Sequence, residues 1–146
     1  MVKYFLRTLL LFFLISSCSS SFHKQYYQEL KGSWTINQFE HIQEETDTLL
    51  DLRRSEDYFQ IGFENQNNLF FIKRENRENK FIGAKYFIFK ENDTLKIRIE
   101  ESEDVRIEGV YDLYMDTIRE NEMQFLVQIS LDEENTYISA QKWKNK

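Results

Sequence analysis

The chain is 146 residues long with a formal net charge of −6, and it carries 13 Phe and 8 Tyr but one Cys, two His and no Pro. A single cysteine excludes an internal disulfide and a thiolate metal cluster, and an acidic balance repels phosphates, which excludes nucleic acid as a natural partner. Stability has to come from packing, and the length suits one domain with a real core.

The first residues fall into three zones. Lys3 and Arg7 give a positive start, Leu9 to Ile15 are uninterruptedly apolar, and Ser16-Ser17-Cys18 place small residues at a cleavage point. That is the layout of a secretory signal peptide, and the apolar stretch falls far short of the roughly 20 residues a membrane-spanning helix needs. Ile15-Ser16-Ser17-Cys18 resembles the bacterial lipobox, which marks the site of the lipoprotein signal peptidase. The resemblance implies cleavage after Ser17, a diacylglyceryl thioether on Cys18, and a further acyl chain such as palmitate on the freed amine. At roughly 0.8 kcal/mol per buried methylene, several acyl chains hold firmly where a single one is marginal. The alternative is an ordinary secretory signal with a chance cysteine. The expected division is a signal peptide over 1–17, a lipidated cysteine and tether over 18–31, and a folded domain over 32–146. Losing Lys3 and Arg7 with the signal deepens the negative charge by two, so attachment falls to the anchor and not to the surface.

After Cys18 the serines read as a solvated spacer, and Tyr26, Tyr27 and Leu30 are spaced for one helical turn. From Trp34 onward the dominant period is two. Leu95, Ile97 and Ile99 alternate with Lys96, Arg98 and Glu100; Met123, Phe125, Val127 and Ile129 alternate with Gln124, Gln128 and Ser130. Such alternation gives strands with one buried face and one wet face. Strands are expected near 33–42, 58–64, 69–75, 81–90, 94–101, 105–116, 122–131 and 135–143. Asn- and Asp-rich clusters between them suit tight turns, so neighbouring strands form hairpins in an antiparallel sheet. Gly62, Gly83 and Gly109 fall inside strands, where glycines often mark the bulges or bends that let a sheet curl. A curled sheet of about eight strands closes into an up-and-down barrel and so removes its edges. Residues 43–57 stay open between a short helix carrying Leu49, Leu50 and Leu52 behind a Thr46 or Asp47 cap, a continuation of the first strand, and a loop.

Gly32-Ser33-Trp34 matches the G-x-W signature that opens lipocalins. Tyr86-Phe87-Ile88 followed by Asp93-Thr94-Leu95-Lys96-Ile97 resembles a passage of the small lipocalin-like domains found in Bacteroidetes envelope lipoproteins. The closing strand from Tyr137 to Trp143, running into a basic tail, fits the same pattern. The resemblance implies an all-β lipocalin-like barrel in the cell envelope. It departs from typical lipocalins in two places. Lys142 and Lys144 stand where an arginine would stack on the signature tryptophan, and the second lipocalin motif is not recognisable. With Ser19 after the anchor and no acidic export tag beside Cys18, the resemblance favours the periplasmic face of the outer membrane.

No phosphate loop, dinucleotide glycine pattern or zinc spacing is present. His23 and His41 read as surface histidines, and the carboxylates cluster at predicted turns as ordinary solvated acids. No catalytic residue, metal ligand or cofactor is therefore assigned, and the chain reads as no enzyme. The aromatic content is the unusual feature. Trp34, Phe59, Phe63, Phe71, Phe87, Phe89, Tyr111, Phe125 and Tyr137, with Phe81, are expected on one face, where they either line a pocket for an apolar molecule or fill the lumen. Those alternatives lead to two functions. One is a membrane-anchored lipoprotein binding a small apolar ligand or an envelope protein. The other is an immunity- or inhibitor-type interaction module with a solid core, whose acidic face docks a basic partner.

Overall fold

In the computed structural model, which describes residues 23–43, 48–51, 58–65 and 67–146, the period-two pattern folds into nine antiparallel strands. These are β1 (Gly32–Gln43), β2 (Thr48–Asp51), β3 (Tyr58–Phe63), β4 (Asn68–Glu75), β5 (Glu78–Glu91), β6 (Thr94–Glu100), β7 (Gly109–Glu120), β8 (Gln124–Glu133) and β9 (Thr136–Asn145). The sheet order runs β2-β1-β3-β4-β5-β6-β7-β8-β9, and β9 returns to pair with β1. β1 takes β9 along one edge over Thr35–His41. Its other edge takes β3 over Gly32–Thr35 and β2 over Glu40–Gln43. β2 and β3 thus make one interrupted strand, and the result is a closed barrel of eight strands with up-and-down connections. Pairing the last strand with the first removes the long free edges that would recruit another chain.

The ends of the barrel follow from the strand directions. At the floor lie the start of β1 and the turns that join β5 to β6 and β7 to β8. A helix over residues 23–30, α1, lies there too. Gly32 joins α1 to β1 with φ +100°, a left-handed backbone that a residue with a Cβ resists. At the mouth lie the turns after β4 and β8, and a 3-10 turn over Val105–Ile107. The hairpin turns at Asn76-Arg77 and Asn92-Asp93 have positive φ at both central residues, the type I′ geometry whose twist matches the flanking strands.

Several expectations are corrected. β7 begins at Gly109 and not near 105, because Asp104 caps the segment and bends Val105–Ile107 into the 3-10 turn. Its far end extends to Glu120 through exposed residues that carry no apolar alternation. The sheet curls at bulges between Ile36 and Gln38, Tyr58 and Gln60, and Thr117 and Arg119, none of them at the three strand glycines. Of the open stretch, 48–51 is a strand folded back on β1, while Thr46, Asp47 and Leu52 lie outside the described residues. So do the signal peptide and Cys18. Among the described residues no helix is long and apolar enough to cross a membrane.

Candidate functional site

Three places offer themselves: the lumen, the floor and the mouth. The lumen is packed by Trp34, Phe39, Ile61, Phe63, Phe71, Ile97, Tyr111, Leu131 and Ala140, each with at most 1% of its surface accessible. A water-sized void beside these side chains would show as accessible surface, so the interior at this level is solid. Dense interdigitation of this kind is what a small barrel needs to hold its shape.

The ten aromatic residues expected on one face separate here. Trp34, Phe63, Phe71 and Tyr111 are buried in the interior, and half-buried Phe125 packs against that core. Phe81 and Phe87 are 62% and 43% exposed on the outer wall. β5 turns Ile82, Ala84, Tyr86 and Ile88 inward, which sends the odd-numbered Phe81, Phe87 and Phe89 outward. Phe89 stacks on Phe87 under the guanidinium of Arg98, 5.5 Å from its ring centroid. Phe59 is half-buried, with Arg74 at 5.8 Å from its ring. Tyr137 is half-buried and donates to Ser130 Oγ at 3.3 Å. The pleat allows only one parity per strand, and β5 is apolar on both sides, so alternation did not reveal which set faces in.

The floor is a plug made by α1. Leu30 is fully buried, and the Tyr27 hydroxyl donates to the Glu64 carbonyl at 3.0 Å. β4 stops pairing with β5 at Asn68–Lys85, which leaves the lower half of β5 without a neighbour on that side. His23 fills part of the gap. Its Nδ1 accepts the Ile88 amide at 3.2 Å and its ring stacks on Phe87 at 5.2 Å. His23 is therefore buried, not the surface residue its position in a tether suggested. At the other end of the helix Trp34 Nε1 donates to the Leu30 carbonyl at 2.6 Å. Lys142 and Lys144 lie 4.6 and 5.6 Å from the indole centroid. Their ammonium groups donate to the carbonyls of Lys31 at 2.5 Å and Glu29 at 2.9 Å. The indole face attracts a cation, and the carbonyls are those a helix leaves unpaired at its C-terminus. Burial, together with the charge of Lys144, pushes the Lys142 ammonium down to about 8.

The mouth is crossed by a strap, residues 102–108, whose Ile107 is fully buried. Arg106 grips Asp104 in a two-point contact, Nε to Oδ1 at 2.9 Å and Nη2 to Oδ2 at 2.6 Å. Asp104 also accepts the Tyr58 hydroxyl. The Arg106 contact holds the Asp104 carboxyl well below the usual carboxylate range, against the opposing effect of burial. Tyr111 donates to the Ile107 carbonyl at 2.9 Å, and Thr136 to that of Arg106 at 3.2 Å. His41, half-buried, shares a 2.9 Å hydrogen bond with Thr136 Oγ1. Tyr58 stacks on Phe39 at 4.7 Å, which joins the strap to the core. Sequence alternation gave no sign of this strap; the available signal was the Asp104-x-Arg106 pair directly after a polar turn.

These groups are structural in their chemistry. The mouth acid is neutralised by a guanidinium, and the buried Tyr58 and Tyr111 hydroxyls are raised above their ordinary range, chiefly by desolvation. Among the described residues no group of three or more His, Cys, Asp or Glu is placed to hold a metal ion. The rim of the mouth carries Glu103 and Glu108 on the strap, Glu101 before it in an ion pair with Lys85 at 2.5 Å, and Asp132, Glu133 and Glu134 at the end of β8 and in the turn after it. Comparison with family models, with characterised proteins and with solved structures found no match to this chain.

Proposed function

We propose that the chain is an exported, non-enzymatic envelope protein, held by lipid on Cys18 on the periplasmic face of the outer membrane, that acts by offering its acidic mouth to a basic partner protein. The observation that supports this over the carriage of an apolar molecule is the filled lumen, with a helix in one end and a strap pinned across the other. A carrier needs a concave apolar site of several hundred Å³, and at the level of Trp34, Phe71 and Tyr111 the inward side chains leave no such surface, while Leu95, Met115 and Phe125 nearer the floor are only half-buried. The acid rim instead suits a partner of opposite charge, since complementary charge speeds encounter and sets orientation.

Native mass spectrometry on the mature protein, purified from the envelope of its own kind of cell, tests the reading. The expected spectrum shows the protein without any small apolar adduct, alone or with a basic protein released by raising the salt. An apolar mass that leaves on acid denaturation would overturn it in favour of a carrier.

A further inference from the structure

The lipid anchor of the proposed function is the premise here, and it also constrains orientation. The five steps from Cys18 to His23 reach at most about 18 Å when fully extended, and His23 is pinned to β5 at the floor. The floor is thus the only end that lipid on Cys18 can hold against a membrane. α1 crosses that end from β5, where His23 sits, to β9, where Lys142 and Lys144 grip its carbonyls.

Beside the floor the outer wall carries a row of exposed apolar side chains. Trp143 is 46% exposed and shares a rung with Leu126, Ile118 stands in the β7 bulge next to that rung, and Met123 is 78% exposed at the tip of the β7–β8 hairpin. Trp at such a level is the residue type that settles in the headgroup region of a bilayer, with an apolar body and a polar edge. The charges agree. Acids and bases are mixed along the floor, where Lys146 pairs with Glu120 and Lys90 with Asp93, whereas at the mouth carboxylates prevail on the strap and at the end of β8, with Arg77 and Lys80 confined to the β4–β5 hairpin on the other side. An anionic lipid surface repels the mouth and leaves the floor facing it.

We propose that the floor rests on the lipid surface, with Trp143, Met123 and Ile118 entering the headgroup boundary, so that the anchored barrel stands upright with its acid rim turned away from the membrane.

The chain carries its own reporter. It has two tryptophans, of which Trp34 is 1% exposed, so changes in aqueous or lipid quenching report Trp143. The lipidated mature protein is bound to vesicles of phosphatidylethanolamine and phosphatidylglycerol, with bromine on the acyl chains near the headgroup. The expected result is quenching by bromine, protection from aqueous iodide, and loss of the bromine effect in W143F. The surface variant Ile118→Glu with Met123→Glu should lose the quenching while still floating with the vesicles, as should a chain whose tether is lengthened after Ser20 by a long Gly/Ser insert. Protein that floats with vesicles while Trp143 stays open to iodide and untouched by bromine would overturn the seat and leave the anchor intact. Shielding of Trp143 that needs an added envelope protein would overturn it in favour of a protein contact. Protein that neither floats nor carries acyl mass at its N-terminus would overturn the anchor itself.

Discussion

The far end of the Phe70 ring reaches over Gly62, so close that a Cβ on residue 62 would come within 2.2 Å of it. The glycine is there for the approach of a neighbour across the rung and not for a bend in the strand, because Gly62 and Phe70 are direct partners in an unbroken part of the ladder. Any side chain at 62 forces Phe70 off the wall, and with it the contact to Phe81. Gly62→Ala should cost about 1–3 kcal/mol in denaturant unfolding, the usual range for overpacking. Most of that cost should vanish in a Phe70→Ala background, since the clash is with that ring alone. Equal costs in both backgrounds would place the strain in the backbone.

The helix and the strap lie across the two ends of the barrel, and the lysine pair over Trp34 fastens one of them. Lys142 has a folded-state pKa of about 8 against an ordinary 10.5. Between those values the unfolded chain binds a proton that the folded chain has released, so stability rises with pH across that window, and the desolvation cost of the half-buried ammonium is fully present below it. Above about 10 the trend reverses, because the ordinary tyrosine ionisation near that pH is resisted by the buried hydroxyls of Tyr58, Tyr86 and Tyr111, all raised by burial. Thermal unfolding followed from pH 7 to 10 should show a melting temperature that climbs above pH 8 in the native protein and stays level in Lys142→Met. A parallel climb in both would assign the effect elsewhere. The strand pattern itself was legible from alternation because each strand has one wet and one dry face, and the helical turn of Tyr26, Tyr27 and Leu30 was legible from its spacing. What stayed hidden has a common cause. β5 is apolar on both faces, His23 and Lys142 are polar residues used in packed positions, and the strap continues the apolar alternation of Val105 and Ile107 into a segment that is not a strand. Each is settled by a neighbour distant in sequence.

At the scale of the whole molecule, the barrel is closed by its first and last long strands, joined across 95 residues between His41 and Thr136. Contacts between segments so far apart delay folding, and all-β topologies of this kind fold in milliseconds to seconds. With no proline and one cysteine in the chain, the slow events that usually trail behind, X-Pro isomerisation and disulfide exchange, have no substrate. Refolding from denaturant by stopped flow, at low protein concentration, should therefore end without a phase of tens of seconds; a phase that slow and independent of concentration would refute this account.

The same seam bears on how such a protein is made. Until Thr136–Gln141 has emerged, β1 lacks the partner that completes the ring, and a nascent chain is an open meander with two unpaired borders. Because β9 supplies the closing contact, the ring can lock only after all the other strands of the barrel have been made.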